Sequence, residues 1–223
     1  MNRFSNLRVP MLLSLAAAML LVPMLFIGVF QRDVLAQSRH HHEQVTSDSL
    51  QETMRSLWED HIVWTRLFIV SDIAGLPDKD LTAKRLLQNQ VDIGNAIAPY
   101  YGQEAADQLS TLLQAHILGA ATVLDAAKSG DSTAVETASA AWYANGDEVA
   151  TFLSSLNPEQ WPLEDMKAQM KMHLDLTLAE ATARLSGDYS ADIAHFDQIR
   201  THILGFADLL SQGIEAQFPS QFS

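Results

Sequence analysis

Apolar residues recur at intervals of three and four along most of this 223-residue chain. That spacing places side chains on one face of an α-helix, which turns about 100° per residue. Six helical stretches are predicted on this basis: 49–72, 79–98, 103–129, 132–156, 163–186 and 188–217. Their ends carry stop and start signals. Ser49 followed by Glu52 forms a capping-box pattern, and Gly75-Leu76-Pro77 closes the first helix. Pro99 closes the second, Ser129-Gly130 the third, Asn157-Pro158 the fourth and Ser186-Gly187 the fifth. Asp131 and Asp188 stand as caps. Ile62 to Val70 is rich in β-branched and aromatic residues and competes as a strand. Its polar positions Glu59, Arg66 and Ser71 show no period-2 alternation, so it reads as helix. Short connections make neighbouring helices antiparallel. The expected fold is all-α, an up-and-down antiparallel bundle of about six helices over 48–218, with no internal repeat.

The first 36 residues have a different character. Arg3 and Arg8 precede an uncharged run over 10–30 in which only Pro10, Ser14, Pro23 and Gly28 are not hydrophobic. About 20 apolar residues suffice to span a bilayer. The run reads as a transmembrane anchor or as a signal peptide with Val34-Leu35-Ala36 as its cleavage site. Basic residues before it orient the remainder outside the cytoplasm, so the chain is expected to be tethered to the cytoplasmic membrane, or secreted if cleaved after Ala36. A polar linker follows over 37–47 and contains His40, His41 and His42, read as solvated. No second apolar run of spanning length follows.

Composition narrows the function. The net charge is -13, and residues 37–223 hold 11 basic against 26 acidic side chains, which argues against nucleic acid as a partner. With no cysteine, disulfides, thiolate metal sites and thiol nucleophiles are excluded. Metal chemistry is left to histidine, carboxylate and methionine.

Histidines lie on the apolar stripes. His61 lies among Met54, Trp58 and Phe68, His116 among Leu109, Leu113 and Val123, and His173 among Met166, Met170 and Leu176. Glu52, Glu59 and Arg66 point away from the first stripe. His61, His116 and His173 each lie near the middle of a helix, so an antiparallel bundle brings them to one level. Glu180 lies about two turns from His173, level with Asp192. Neutral imidazole binds zinc, copper and iron, and carboxylates complete such sites. The candidate metal ligands are therefore His61, His116 and His173 with Glu180 or Asp192. Asn145, Thr65, Thr177 and His202 stand behind them. Taken singly, each histidine also reads as a core residue bonded to a carbonyl, a threonine or a carboxylate.

Other signals have plainer readings. Met166, Met170 and His173 at i, i+4, i+7 suit copper, and also suit simple core filling. Asp192-x-x-His195 is half of a di-iron motif, but the chain has no Glu-x-x-His unit. Trp58, Trp64 and Trp142 read as core. Arg184, four residues after Glu180, reads as its helix-surface partner. No catalytic set can be assigned from spacing.

Leu57-Trp58-Glu59-Asp60-His61-Ile62-Val63-Trp64-Thr65-Arg66 forms the motif L-W-E-x-H-x-x-W-T-R. Further marked stretches are Arg85-Leu86-Leu87-Gln88-Asn89, Trp142-Tyr143-x-Asn145, His173-Leu174-x-Leu176-Thr177-x-x-Glu180 and Gly187-Asp188-Tyr189-x-x-Asp192. Over most of 50–217 the chain resembles an uncharacterised family of small bacterial helical proteins. The resemblance implies a single helical unit that keeps polar residues at His61, His116, His173, Glu180 and Asp192. It does not extend to His195, His202 or the methionine stripe, and it implies no reaction. The expected function is an exported, membrane-tethered binding protein with a buried His/carboxylate site for a divalent transition metal. The alternative is an extracytoplasmic interaction or sensing module whose polar core is satisfied internally and whose protein partner is unidentified.

Overall fold

A computed structural model describes residues 46–222, within the unit Gln44–Ser223. The anchor or signal expected at 1–36 and nearly all of the 37–47 linker lie outside the described residues. Six helices follow in order: α1 (Ser47–Ala74), α2 (Lys79–Tyr101), α3 (Gln103–Ser129), α4 (Ser132–Leu156), α5 (Leu163–Ser186) and α6 (Tyr189–Gln217). A short 3-10 turn, Pro219–Gln221, closes the described chain. Among the described residues there is no strand, so Ile62 to Val70 lies within α1.

Two boundary expectations need correction. The α1 cap is Thr46, not Ser49: Thr46 accepts from the Ser49 backbone and Ser49 answers the Thr46 N–H, at 3.2 and 2.9 Å. Serine at the third position supplies the same reciprocal bond that glutamate supplies in the usual pattern. Pro99 does not stop α2, which continues to Tyr101. Within the last turn a proline removes only one backbone bond, and the Gly102 N–H still reaches the Ala98 carbonyl.

Consecutive helices pack against each other, and α6 packs back on α1. Polar links fix the directions. Asn89 of α2 bonds the Leu57 carbonyl, Asn145 of α4 the Leu112 carbonyl, and His202 of α6 the Gln169 carbonyl. Gln51 bonds Asp208 at one end of the α1–α6 pair, while Arg66 meets Asp192 toward the other. Six alternating helices therefore close into a ring, and α1 also touches α5. The core is made of residues such as Met54, Ile93, Leu109, Val149, Met166 and Ile203. By length and composition α3 is apolar enough to cross a membrane, contrary to the expectation of no second such run. Its apolar face carries Leu109, Leu113 and His116 into the core between α2 and α4.

The structure also reveals a repeat that residue identity conceals. The hairpins α1–α2, α3–α4 and α5–α6 are three versions of one unit. In each, the first helix carries a buried histidine (His61, His116, His173), and fourteen residues later it ends at a glycine (Gly75, Gly130, Gly187). All three glycines have left-handed φ, between 64 and 80°, which a Cβ would strain. The core positions correspond too. Met54, Leu109 and Met166 lie seven residues before the histidines, and Ile93, Val149 and Phe206 occupy one shared position on the second helices. Hydrophobic identity varies among these positions as long as the apolar pattern and the total core volume are kept, so the repeat is plain in burial and faint in letters.

Candidate metal centre

Each odd-numbered helix delivers its histidine to the same level because the three hairpins are equivalent. The ring centroids are 6.4 Å apart for His61–His116, and 5.8 Å for both His61–His173 and His116–His173. One nitrogen of each ring lies within 4.8 Å of the other two. All three residues are buried, at 3, 3 and 5 % exposure.

The second helix of each hairpin supports the histidine of the first. Asn145 donates from Nδ2 to the Leu112 carbonyl, at 3.3 Å, which turns its Oδ1 toward His116 Nδ1 at 3.2 Å. An amide oxygen only accepts, so the His116 proton sits on Nδ1 and Nε2 keeps its lone pair. Trp142 stacks on the same ring and donates from Nε1 to the His116 carbonyl at 3.0 Å. Asn89 repeats this design: its Nδ2 donates to the Leu57 carbonyl at 2.9 Å, four residues before His61. Its Oδ1 and the Nδ1 of His61 are both buried without a completed hydrogen bond. In the third hairpin His202 takes the asparagine place. Its Nε2–H donates to the Gln169 carbonyl, four residues before His173, at 3.1 Å, and its ring lies near-parallel to His173. His173 Nδ1 is also buried without a partner. Thr65 and Thr177 donate to the carbonyls of His61 and His173, both at 2.8 Å.

Burial controls the protonation of this layer. It pushes His61 down to about 4, partly offset by the Asn89 side chain. It pushes His116 to about 3, with His61 adding to the fall and Asn145 opposing it. His173 is lowered well below the ordinary range, first by burial and then by His61, His116 and His202. At neutral pH the layer is three uncharged imidazoles with converging nitrogen atoms.

The two carboxylates do not join them. No carboxylate oxygen belongs to the converging group. Glu180 receives Arg66 at 2.5 Å, and Asp192 receives Arg66 through both carboxylate oxygens, at 2.6 and 3.1 Å. Arg66 points inward, contrary to the helical-wheel expectation, because its long stem carries the guanidinium back over Phe196 to both acids. Arg184 binds Asp192 at 3.3 Å rather than pairing with Glu180 on the helix surface. Burial raises Glu180 to about 7, and Arg66 offsets part of that rise. The acids thus form a separate arginine–carboxylate cluster.

Spacing identified the histidines and Asn145 but missed Asn89. The signal was present: Asn89 follows His61 by 28 residues, and Asn145 follows His116 by 29. His195 lies outside the histidine layer, its Nδ1 unpartnered. Trp58 and Trp142 are core, whereas Trp64 is half-buried under Arg85. The chain matches no family model, no curated protein and no solved structure.

Proposed function

We propose that this protein binds one divalent transition-metal ion through His61, His116 and His173. One observation supports this reading above the others. Three desolvated, neutral imidazoles from three helices bring one nitrogen each within 4.8 Å of the other two, with no carboxylate among them. His173 Nδ1 is buried without a hydrogen-bond partner, a state that costs about 1–3 kcal/mol and weighs against an internally satisfied core. A cation at the centre accepts all three lone pairs. Zinc binds imidazole at about 2.0–2.1 Å, which sets tetrahedral nitrogens about 3.4 Å apart. The three nitrogens, within 4.8 Å of one another, would have to draw in by about 1 Å to reach that value.

Zinc, copper and iron all suit imidazole. Asn145 and Asn89 serve as the outer partners that fix ring orientation. Glu180 and Asp192 are left out of the ligand set because Arg66 and Arg184 already hold them. The basic residues before the apolar segment 10–30 support an orientation with this centre outside the cytoplasm, tethered to the membrane or released from it.

Elemental analysis of the full-length chain, purified in mild detergent, tests the reading. The expected result is one ion per chain, with a thermal shift on adding zinc that disappears in His61→Ala. A chain that carries no transition metal and shows no shift with zinc, copper or iron overturns it in favour of a metal-free interaction module.

A further inference from the structure

A cavity of about 50 Å³ begins at the three histidines and runs toward the glycine-turn end of the bundle. Its lining extends from His173 to Leu185, twelve residues along α5, or about 18 Å of helix. Leu185 is 39 % exposed, so the far end approaches the surface. Phe68, Leu86, Val123, Leu124 and Trp142 contribute to its apolar wall. The wall holds no lysine, arginine, aspartate or glutamate. Beyond the imidazoles, Thr65, Thr177 and Thr182 are its only polar side chains. Each of these hydroxyls donates to a carbonyl of its own helix, so the cavity offers no further donor.

Resting on the metal reading above, we propose that this cavity holds a small monoanion as the fourth ligand of the metal. Three neutral imidazoles leave the full double charge of the ion uncompensated beside an apolar wall, where electrostatic terms are strong. The carboxylates that could neutralise it are bound to Arg66 and Arg184. Sites with three protein ligands keep a fourth position for water or an exogenous group. One water needs about 10–15 Å³ of such volume, so the cavity accepts an anion of about three or four heavy atoms. Short carboxylates and linear triatomic anions fit this class. The metal is the anchor for the anion, so binding should depend on it.

Cobalt(II) makes the test visible. The full-length protein is loaded with cobalt, and sodium azide or sodium acetate is titrated while the ligand-field spectrum is recorded. The expected result is a four-coordinate spectrum that shifts saturably with either anion. Ala120 also lines the cavity, one turn beyond His116. Ala120→Leu should retain cobalt and lose the anion response. A cobalt spectrum that no anion perturbs overturns the inference while leaving the metal reading intact, as does an undiminished response in Ala120→Leu. Failure to take up cobalt, zinc or copper overturns both.

Discussion

Two of the polar clusters in this bundle solve burial in opposite ways. In the Arg66–Glu180–Asp192–Arg184 cluster every charge meets an opposite charge within the chain. In the histidine layer three imidazoles converge with no acid among them, and Nδ1 of His61 and of His173 lacks a completed hydrogen bond. Both clusters draw on α1, with Arg66 only five residues beyond His61. Proximity therefore does not explain the difference; the supply of partners does. A cluster complete in itself holds helices together, whereas an incomplete one asks for something from outside.

The largest effect that separates them should come from Arg66→Met. Removing the arginine leaves buried Glu180 without its cation while Arg184 still holds Asp192, and breaking such a pair costs about 3–5 kcal/mol. Urea unfolding should show that loss, and saturating zinc should not restore it beyond its ordinary contribution. A loss below about 1 kcal/mol would show that the cluster is no more than a surface network.

Acid comes next. His61, His116 and His173 take up protons less readily in the folded chain than in the unfolded one. Their contribution is therefore complete above the ordinary 6.5 and is lost as the pH falls, through about 4 for His61 and about 3 for His116, with His173 lowered in the same direction. Glu180, raised to about 7, acts in the opposite sense between its ordinary 4.5 and 7. The net expectation is a fall of a few kcal/mol below pH 6 in the metal-free protein, measured by pH-dependent denaturation. The steepness of that fall should lessen in His116→Leu. An unchanged profile would mean that the layer is already protonated or hydrated in the native state.

The third effect concerns metal directly. At a zinc concentration one hundred times its dissociation constant, the wild type should gain about 2.7 kcal/mol. His173→Leu should lose that gain. Without metal it should be as stable as the wild type or more so, because an unpartnered polar group has been replaced by an apolar one. Greater destabilisation of the metal-free form would reveal an internal partner for His173. Smaller again, Asn145→Ala and Asn89→Ala should each weaken zinc about 10- to 100-fold by releasing the ring they orient. Smallest is His202→Asn, which installs the residue of the other two hairpins. It should leave zinc affinity within about threefold, as expected if residue 202 orients rather than binds.

The helices were legible in the sequence because apolar periodicity and glycine stops act locally. Gly130, Asp131 and Gly187 mark their boundaries without reference to the rest of the fold. The histidine level was legible because equal distances from a turn survive antiparallel packing. The fate of Arg66 was not, since a long side chain ignores the face from which its Cα starts. Glu180 and Asp192 were misjudged for the same reason: their partner comes from α1, more than a hundred residues away. The repeat was hidden because equivalent core positions keep burial but neither identity nor size, and a Trp58–Leu113–Met170 correspondence leaves no trace in a comparison of letters.

Because α6 closes against α1 in the same antiparallel sense as every other neighbouring pair, the ring has no privileged starting point. The link at Gly102 joins two hairpins much as the short segment at 157–162 does. A gene cut at Gly102 and rejoined from the end of α6 to the start of α1 should encode a circular permutant with all six pairings intact. The order in which a ribosome delivers the hairpins is then separable from the architecture they reach.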